Sequence, residues 1–201
     1  MSFTFESDKL AAAHALRVDA SAGVVDGITT VKVDTPVFVM EIGDPFDIAG
    51  LISEHRKQDG TNHPSNVKAW RSSYLTHKET TLFNDAVKYL VDKCNEIIAE
   101  YYGVFIKHNC IHMWVMEYEK GNYATKHTHY PTDWSAVYYA EMNEKSAPVV
   151  IENTLTIHPK SGTLVLFPGT LEHKVIPTSS SRKVLAMNLL KDHEQILFYE
   201  Y

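Results

Sequence analysis

The chain has 201 residues, 44% hydrophobic and 22% charged, proportions of a folded globular protein that exclude a disordered tail, a collagen-like repeat or a coiled coil. Nineteen Lys and Arg against 25 Asp and Glu leave a net charge of −6, with no basic stripe to neutralise a run of phosphates, so no nucleic-acid partner is expected. The longer apolar runs, such as residues 136–140 and 164–167, are one strand long against the roughly 20 residues of a membrane span, so no membrane partner is expected either.

In chain order, residues 1–9 carry two acidic side chains before the first lysine and no apolar segment of a signal peptide, so the expected compartment is the cytoplasm. Residues 35–42 read as a strand, after which Asp44-Pro45 supplies a cap and first-turn proline for a short helix to about Lys57. A polar loop at 58–66 follows and delivers Trp70, Arg71 and Tyr74, with Arg71 either solvated or facing a substrate. From 82 to 102, Val87, Leu90, Val91, Cys94, Ile97, Ile98 and Tyr101 recur at three- and four-residue intervals and Gly103 stands just beyond, the pattern of a long amphipathic helix. The texture then changes to short strands at 113–118, 125–129, 135–142, 149–152, 154–158, 163–167, 173–176, 183–190 and 196–199. Strands so closely spaced cannot alternate with helices, so the expected fold is mostly β, an α+β antiparallel sandwich or jelly roll backed by the long helix. The expected organisation is one domain over 1–201: a mixed N-terminal extension with entrance loops at 1–80, the supporting helix at 82–102 and the β core at 111–201.

Cys94 and Cys110 are too few for a disulfide framework, and neither is a good nucleophile candidate. Eleven histidines are the unusual count. His14, His55, His63, His77 and His193 have no partner spacing, and His108, Cys110 and His112 fit no closed zinc site. In Lys126-His127-Thr128-His129, two imidazoles at i and i+2 on a strand project from one face. His173 offers a third nitrogen at the start of a later strand that a jelly roll can bring alongside, and three neutral imidazoles with open positions suit iron, zinc or copper. Arg182 follows nine residues later. If its strand pairs back antiparallel on the His173 strand, the guanidinium enters the same cavity, where a buried arginine needs an anion and matches a carboxylate bidentately.

Taken together, Trp114-Val-Met-Glu-Tyr118-Glu-Lys-Gly121, His127-Thr-His129, Ser135-Ala-Val-Tyr-Tyr139, Gly162-Thr-Leu-Val-Leu-Phe-Pro168, His173-Lys-Val-Ile-Pro177 and Arg182 resemble the 2-oxoglutarate and Fe(II) dependent oxygenases. The chain is most similar to the group of that superfamily whose first motif is His-x-His. Ser65-Asn66 and Trp70-Arg-Ser72 resemble that group's upstream signature, so the likeness spans about residues 60–190.

The resemblance implies a double-stranded β-helix, cupin-like in architecture, with His127, His129 and His173 holding Fe(II) and Arg182 binding the distal carboxylate of 2-oxoglutarate as co-substrate. Most members carry a carboxylate where His129 stands, and Asp133 is the alternative third ligand. Val184 stands where many relatives have a hydroxyl that helps bind the co-substrate, and Tyr118, Tyr139 or Tyr138 is expected to provide it instead. Tyr130, Trp134 and the Trp70 loop are expected to border the mouth.

The implied activity is a dioxygenase that hydroxylates a small molecule or a protein side chain, releasing succinate and CO2. Two alternatives stand beside it: a three-histidine cupin-like enzyme that uses no 2-oxoglutarate, and an inert jelly-roll binding module. The aromatic stretch 196–201 is a candidate edge strand for a homodimer.

Overall fold

In the computed structural model the described residues are 34–192, together with the backbone of three short strands at 14–19, 24–25 and 28–29. The candidate strand at 196–199 and its dimer edge lie outside the described residues, as do His193 and residues 1–9. The elements run β1 (His14–Asp19), β2 (Val24–Val25), β3 (Ile28–Thr29), β4 (Asp34–Glu41), α1 (Ile48–Gln58), β5 (Val67–Lys68), β6 (Trp70–Arg71), α2 (Thr76–Glu79) and α3 (Asn84–Tyr102). Then follow β7 (His108–Tyr118), β8 (Tyr123–His127), β9 (Trp134–Glu141), β10 (Val149–Ile151), β11 (Leu155–Ile157), β12 (Thr163–Pro168), β13 (His173–Val175) and β14 (Arg182–Lys191). No helix among the described residues is long and apolar enough to cross a membrane.

A seven-stranded sheet has the order β1-β4-β12-β9-β14-β7-β6, and a five-stranded sheet the order β11-β10-β13-β8-β5. From β7 onward the chain steps between them: β7, β9, β12 and β14 belong to the first sheet, and β8, β10, β11 and β13 to the second. Every pairing among these strands is antiparallel. This is the jelly roll expected from the spacing of the strands, in its double-stranded β-helix form.

The larger sheet is buried on both faces, which explains its uninterrupted apolar strands. In β12, Leu164 and Leu166 join a cluster shared with α1 and α3, while Val165 and Phe167 join the cluster between the sheets. In β14, Leu185 and Met187 face the helices whereas Val184 and Ala186 face the other sheet. A strand solvated on one face would alternate with polar residues; this one has no solvated face.

Helix α3 presents Ala86, Leu90, Cys94 and Ile98 to the sheet at four-residue spacing. Its C-cap is Gly103 at φ 70°, the left-handed conformation a glycine adopts most readily. Asn95, also buried, donates to the His108 carbonyl at 3.0 Å and accepts from the His108 amide at 2.8 Å, tying the helix to the start of β7. The cap of α1 is Asp47, two residues beyond Asp44-Pro45; Asp44 still contributes by accepting from the Ile48 amide at 2.9 Å.

The polar loop ends in two short strands the apolar pattern did not announce. β5 pairs with β8 and β6 with β7, so the 66–74 segment closes one edge of both sheets, next to the strand that ends at His127.

Candidate metal centre

His127 and His173 are direct cross-strand partners on β8 and β13, which brings together residues 46 positions apart. His129 arrives differently. β8 ends at His127, so the i, i+2 strand geometry expected from the sequence does not hold, and the loop after the strand carries His129 into place. That loop is clamped against the turn after β12: the His129 amide donates to the Gly169 carbonyl at 2.8 Å, and Thr132 Oγ1 donates to the His129 carbonyl at 2.8 Å. A Cβ on Gly169 would lie 2.4 Å from the Thr132 carbonyl oxygen, so only glycine permits this approach.

The candidate ligand nitrogens of the three histidines lie within 4.8 Å of one another. His129 Nε2 and His173 Nε2 stand 3.1 Å apart. Two nitrogens each about 2.1 Å from one ion at right angles would be about 3.0 Å apart. The other ring nitrogens are engaged in a repeated way: His127 Nδ1 lies 2.7 Å from the Thr125 carbonyl and His173 Nδ1 lies 3.2 Å from the Leu171 carbonyl. Each carbonyl accepts an N–H there, which leaves Nε2 as the basic atom facing the centre.

Burial, reinforced by His173 and His127, pushes the His129 imidazolium down to about 2. Burial and then His127 push His173 down to about 3. Both rings are therefore neutral at ordinary pH, the form that binds metal. This donor set fits a divalent transition metal, iron included.

Asp133, the alternative third ligand, is elsewhere engaged. It is exposed, and its Oδ2 accepts the Lys191 amide at 2.7 Å. No other cluster of three or more metal-ligating side chains occurs among the described residues. His108, Cys110 and His112 form none, and burial pushes the Cys110 thiol up to about 12 and the Cys94 thiol further up, so both sulfurs are inert.

The cavity between the sheets holds the histidines at one part of its wall and Arg182, Tyr118 and Tyr139 at another. Arg182 gets there by a different route from the one expected. β14 pairs with β7 and β9 in the larger sheet and not with β13, because the Pro177–Ser181 stretch carries the chain from one sheet to the other. Arg182 therefore enters the cavity from the wall opposite the His173 strand, directly across from Tyr118. Its side chain is 2% exposed. Nη1 donates to the Ala147 carbonyl at 2.9 Å, and Nε has no hydrogen-bond partner. The guanidinium lies 4.3 Å from the Tyr118 ring and 5.7 Å from the Tyr139 ring.

No carboxylate among the described residues pairs with Arg182, and no acidic side chain lines the cavity. A buried guanidinium without a counter-charge is costly, and the orphaned Nε marks where an anion would be accommodated.

Strand alternation decides among the three tyrosines. Tyr118 and Tyr139 face the cavity, where the Tyr118 hydroxyl lies 3.6 Å from the Met116 sulfur and beside the Arg182 guanidinium. Burial pushes both phenols up, Tyr139 to about 12, with Arg182 opposing in each case. Tyr138 points to the helix side and donates to the Gly43 carbonyl at 2.6 Å, so it cannot serve the cavity. Trp134 is likewise in the helix-side core, and Tyr130 is 76% exposed and outside the cavity wall; neither borders the mouth as expected. Three further lining residues, Asn66, Tyr74 and Trp114, were named in the sequence without a place in the cavity wall; the Trp114 ring lies 5.5 Å from that of His129. Arg71 is 3% exposed, which removes the solvated reading of it.

No protein-family model and no curated protein sequence matches the chain. Solved structures do. A prolyl-4-hydroxylase from Pseudomonas putida is similar over 78% of this chain and 92% of its own, at 14% identity and a TM-score of 0.56. The viral collagen prolyl hydroxylase of Paramecium bursaria Chlorella virus-1, solved with 2OG, is similar over 76% of this chain and 94% of its own, at 16% identity and 0.56. A prolyl hydroxylase from Trichoplax adhaerens, in complex with a hypoxia inducible factor peptide fragment, is similar over 82% and 87%, at 16% identity and 0.60. The resemblance read from the motifs thus extends to the architecture, and the chain has the double-stranded β-helix fold of these hydroxylases.

Proposed function

We propose that the chain is an Fe(II)- and 2-oxoglutarate-dependent dioxygenase that hydroxylates a small molecule or a protein side chain. The observation that carries this reading is the pairing, in one cavity, of a three-imidazole cluster with a buried guanidinium that lacks a counter-anion. His127, His129 and His173 would hold the metal. Arg182 would bind the distal carboxylate of 2-oxoglutarate, with Tyr118 adding a hydroxyl donor beside it and Tyr139 completing the aromatic wall. Ferrous iron bound there supplies open coordination positions for reaction with dioxygen, in which 2-oxoglutarate becomes succinate and CO2 and a substrate C–H becomes C–OH.

The protein's own contribution is positional. Backbone carbonyls fix which imidazole nitrogen faces the centre, and the Trp114, Phe167 and Val175 side chains keep the interior apolar. Three neutral ligands leave the metal's full positive charge uncompensated, and a dianionic co-substrate offsets it. A direct test is calorimetric titration of 2-oxoglutarate into the metal-loaded protein and into Arg182→Gln. Loss of one partner of a buried charged pair costs about 2–5 kcal/mol, so binding should weaken at least thirtyfold while metal content is unchanged. Equal affinity in both proteins removes the arginine from the site.

A second reading is favoured by one observation, the histidine in place of a carboxylate at position 129. There the enzyme uses no 2-oxoglutarate, and Arg182 binds the carboxylate of the substrate itself.

A further inference from the structure

Buried polar atoms are nearly all hydrogen-bonded in folded proteins, so an exception on a cavity wall marks a place where a ligand completes the bonding. Among the described residues, two buried side-chain nitrogens without a partner belong to residues that line the histidine cavity: Arg182 Nε and Asn66 Nδ2. The first lies at the end assigned to 2-oxoglutarate. The second has no part in that reading.

Exposure separates the floor of this cavity from its mouth. Tyr74 is the exposed lining residue, at 42%, and Asn66, Val67, His127, His129 and Val137 are half-buried. The other lining residues are buried, among them Arg182 and Tyr118 at 2% and 1%. The opening therefore lies on the side of Asn66, Val67 and Tyr74, and Arg182 belongs to the floor.

Two of these mouth residues are held firmly in place. The Asn66 carbonyl accepts from the Thr125 amide at 3.1 Å and from Thr125 Oγ1 at 3.3 Å, and the Thr125 carbonyl is the group 2.7 Å from His127 Nδ1. One residue of β8 thus anchors both Asn66 and a metal-ligand ring. The Tyr74 ring is backed by the Arg71 guanidinium at 3.8 Å and meets the Trp114 ring edge-on at 5.0 Å.

The chemistry offered at the mouth is narrow. Val67, Val137 and the Tyr74 ring present apolar surface, Asn66 adds one neutral donor, and no carboxylate, lysine or second arginine lines the cavity. A charged group entering there finds no side chain to pair with, and burying it unpaired is costly for either sign. An uncharged group with an oxygen acceptor satisfies Asn66 Nδ2 and leaves no buried donor unpaired on that wall.

We infer that Asn66 is a substrate-specificity residue: its side-chain amide donates to a carbonyl-type oxygen on the uncharged part of the substrate that enters past Tyr74. This rests on the dioxygenase reading above, in which Arg182 is taken by 2-oxoglutarate.

The test loads the full chain with Zn(II) and saturating 2-oxoglutarate and titrates in three probes of one shape: neutral isobutyramide, anionic isobutyrate and cationic isobutylammonium. The Trp114 indole, one of three in the chain and in ring contact with both Tyr74 and His129, reports occupancy by heteronuclear NMR. Isobutyramide should shift that signal saturably and bind more tightly than either charged probe. Asn66→Leu removes the donor and should weaken isobutyramide binding about fivefold, with metal content and 2-oxoglutarate affinity unchanged.

No saturable shift with isobutyramide, a charged probe bound as tightly, or equal isobutyramide affinity in Asn66→Leu would overturn the inference. So would a fall in 2-oxoglutarate affinity in that variant, which would give the donor to the co-substrate. If Asn66→Leu does not fold, Asn66→Asp, which keeps the side-chain shape and loses the N–H donors, and the wild-type probe series decide it. The Fe(II) form of the same preparation, examined for its 2-oxoglutarate charge-transfer band, separates the two failures. A band without preferential isobutyramide binding sinks the Asn66 assignment alone, and that binding without a band sinks the co-substrate reading alone.

Discussion

The three histidines differ in how they are held, and their replacements should differ accordingly. His173 is buried at 6% exposure and sits on a strand in a bonded ladder, so His173→Ala should abolish metal binding, read as metal per protein after desalting. His129→Asp exchanges one ligand type for another at the same position and should retain metal; loss of metal there would mean that the imidazole itself is required. Tyr118→Phe keeps the ring over Arg182 and removes only a hydroxyl that has no strong protein acceptor. Its effect should therefore be confined to 2-oxoglutarate affinity, about 0.5–1.5 kcal/mol or up to roughly tenfold. An unchanged dissociation constant would shift the hydroxyl role to Tyr139.

Among elements, the turn after β12 matters most for the site. Gly169→Ala places a methyl against the Thr132 backbone, so the loop carrying His129 must move, and metal affinity should fall more than global stability does. Parallel metal titration and urea denaturation separate those effects. The link between α3 and β7 makes the opposite prediction. Asn95→Leu leaves the buried His108 N–H and C=O unpaired, so stability should drop by about 2–3 kcal/mol with metal affinity preserved.

Elements also differ in how far the sequence reveals them. α3 was legible because one face is apolar and the other is not. The strands of the larger sheet were legible as apolar runs, but an uninterrupted run does not tell one face from the other. That is why Tyr138, Trp134 and the sheet membership of β14 were not determined by pattern alone. β5 and β6 are two residues each and owe their existence to partners elsewhere in the chain, so no local periodicity marks them.

At the scale of the whole molecule, the candidate site was legible because its chemistry is concentrated in a few residue types. His-x-His, a later histidine and an arginine nine residues beyond remain recognisable although the fold disperses them over both sheets. Asn66 and Arg71 were less legible, since what sets them apart is a buried nitrogen without a partner, which only three-dimensional neighbours define.

The pH dependence follows from the same burial. His129 and His173 have folded-state values of about 2 and about 3 against 6.5 in the unfolded chain, so the unfolded state takes up protons first as pH falls. Their contribution to stability is complete above pH 6.5 and is lost progressively as pH drops from there towards 3. Thermal unfolding midpoints of the metal-free protein should decline across that window, and metal should be released over its upper part because protons compete for the same nitrogens. A midpoint independent of pH between 7 and 4 would contradict the burial of these rings.

The most direct measurement is anaerobic titration of metal-stripped protein with Fe(II) and then 2-oxoglutarate, watching for the weak visible charge-transfer band of the chelated keto acid. The co-substrate reading predicts a band that needs both additions and is lost in Arg182→Ala while iron remains bound. Iron bound without any band would contradict that reading and favour a three-histidine enzyme that works without 2-oxoglutarate.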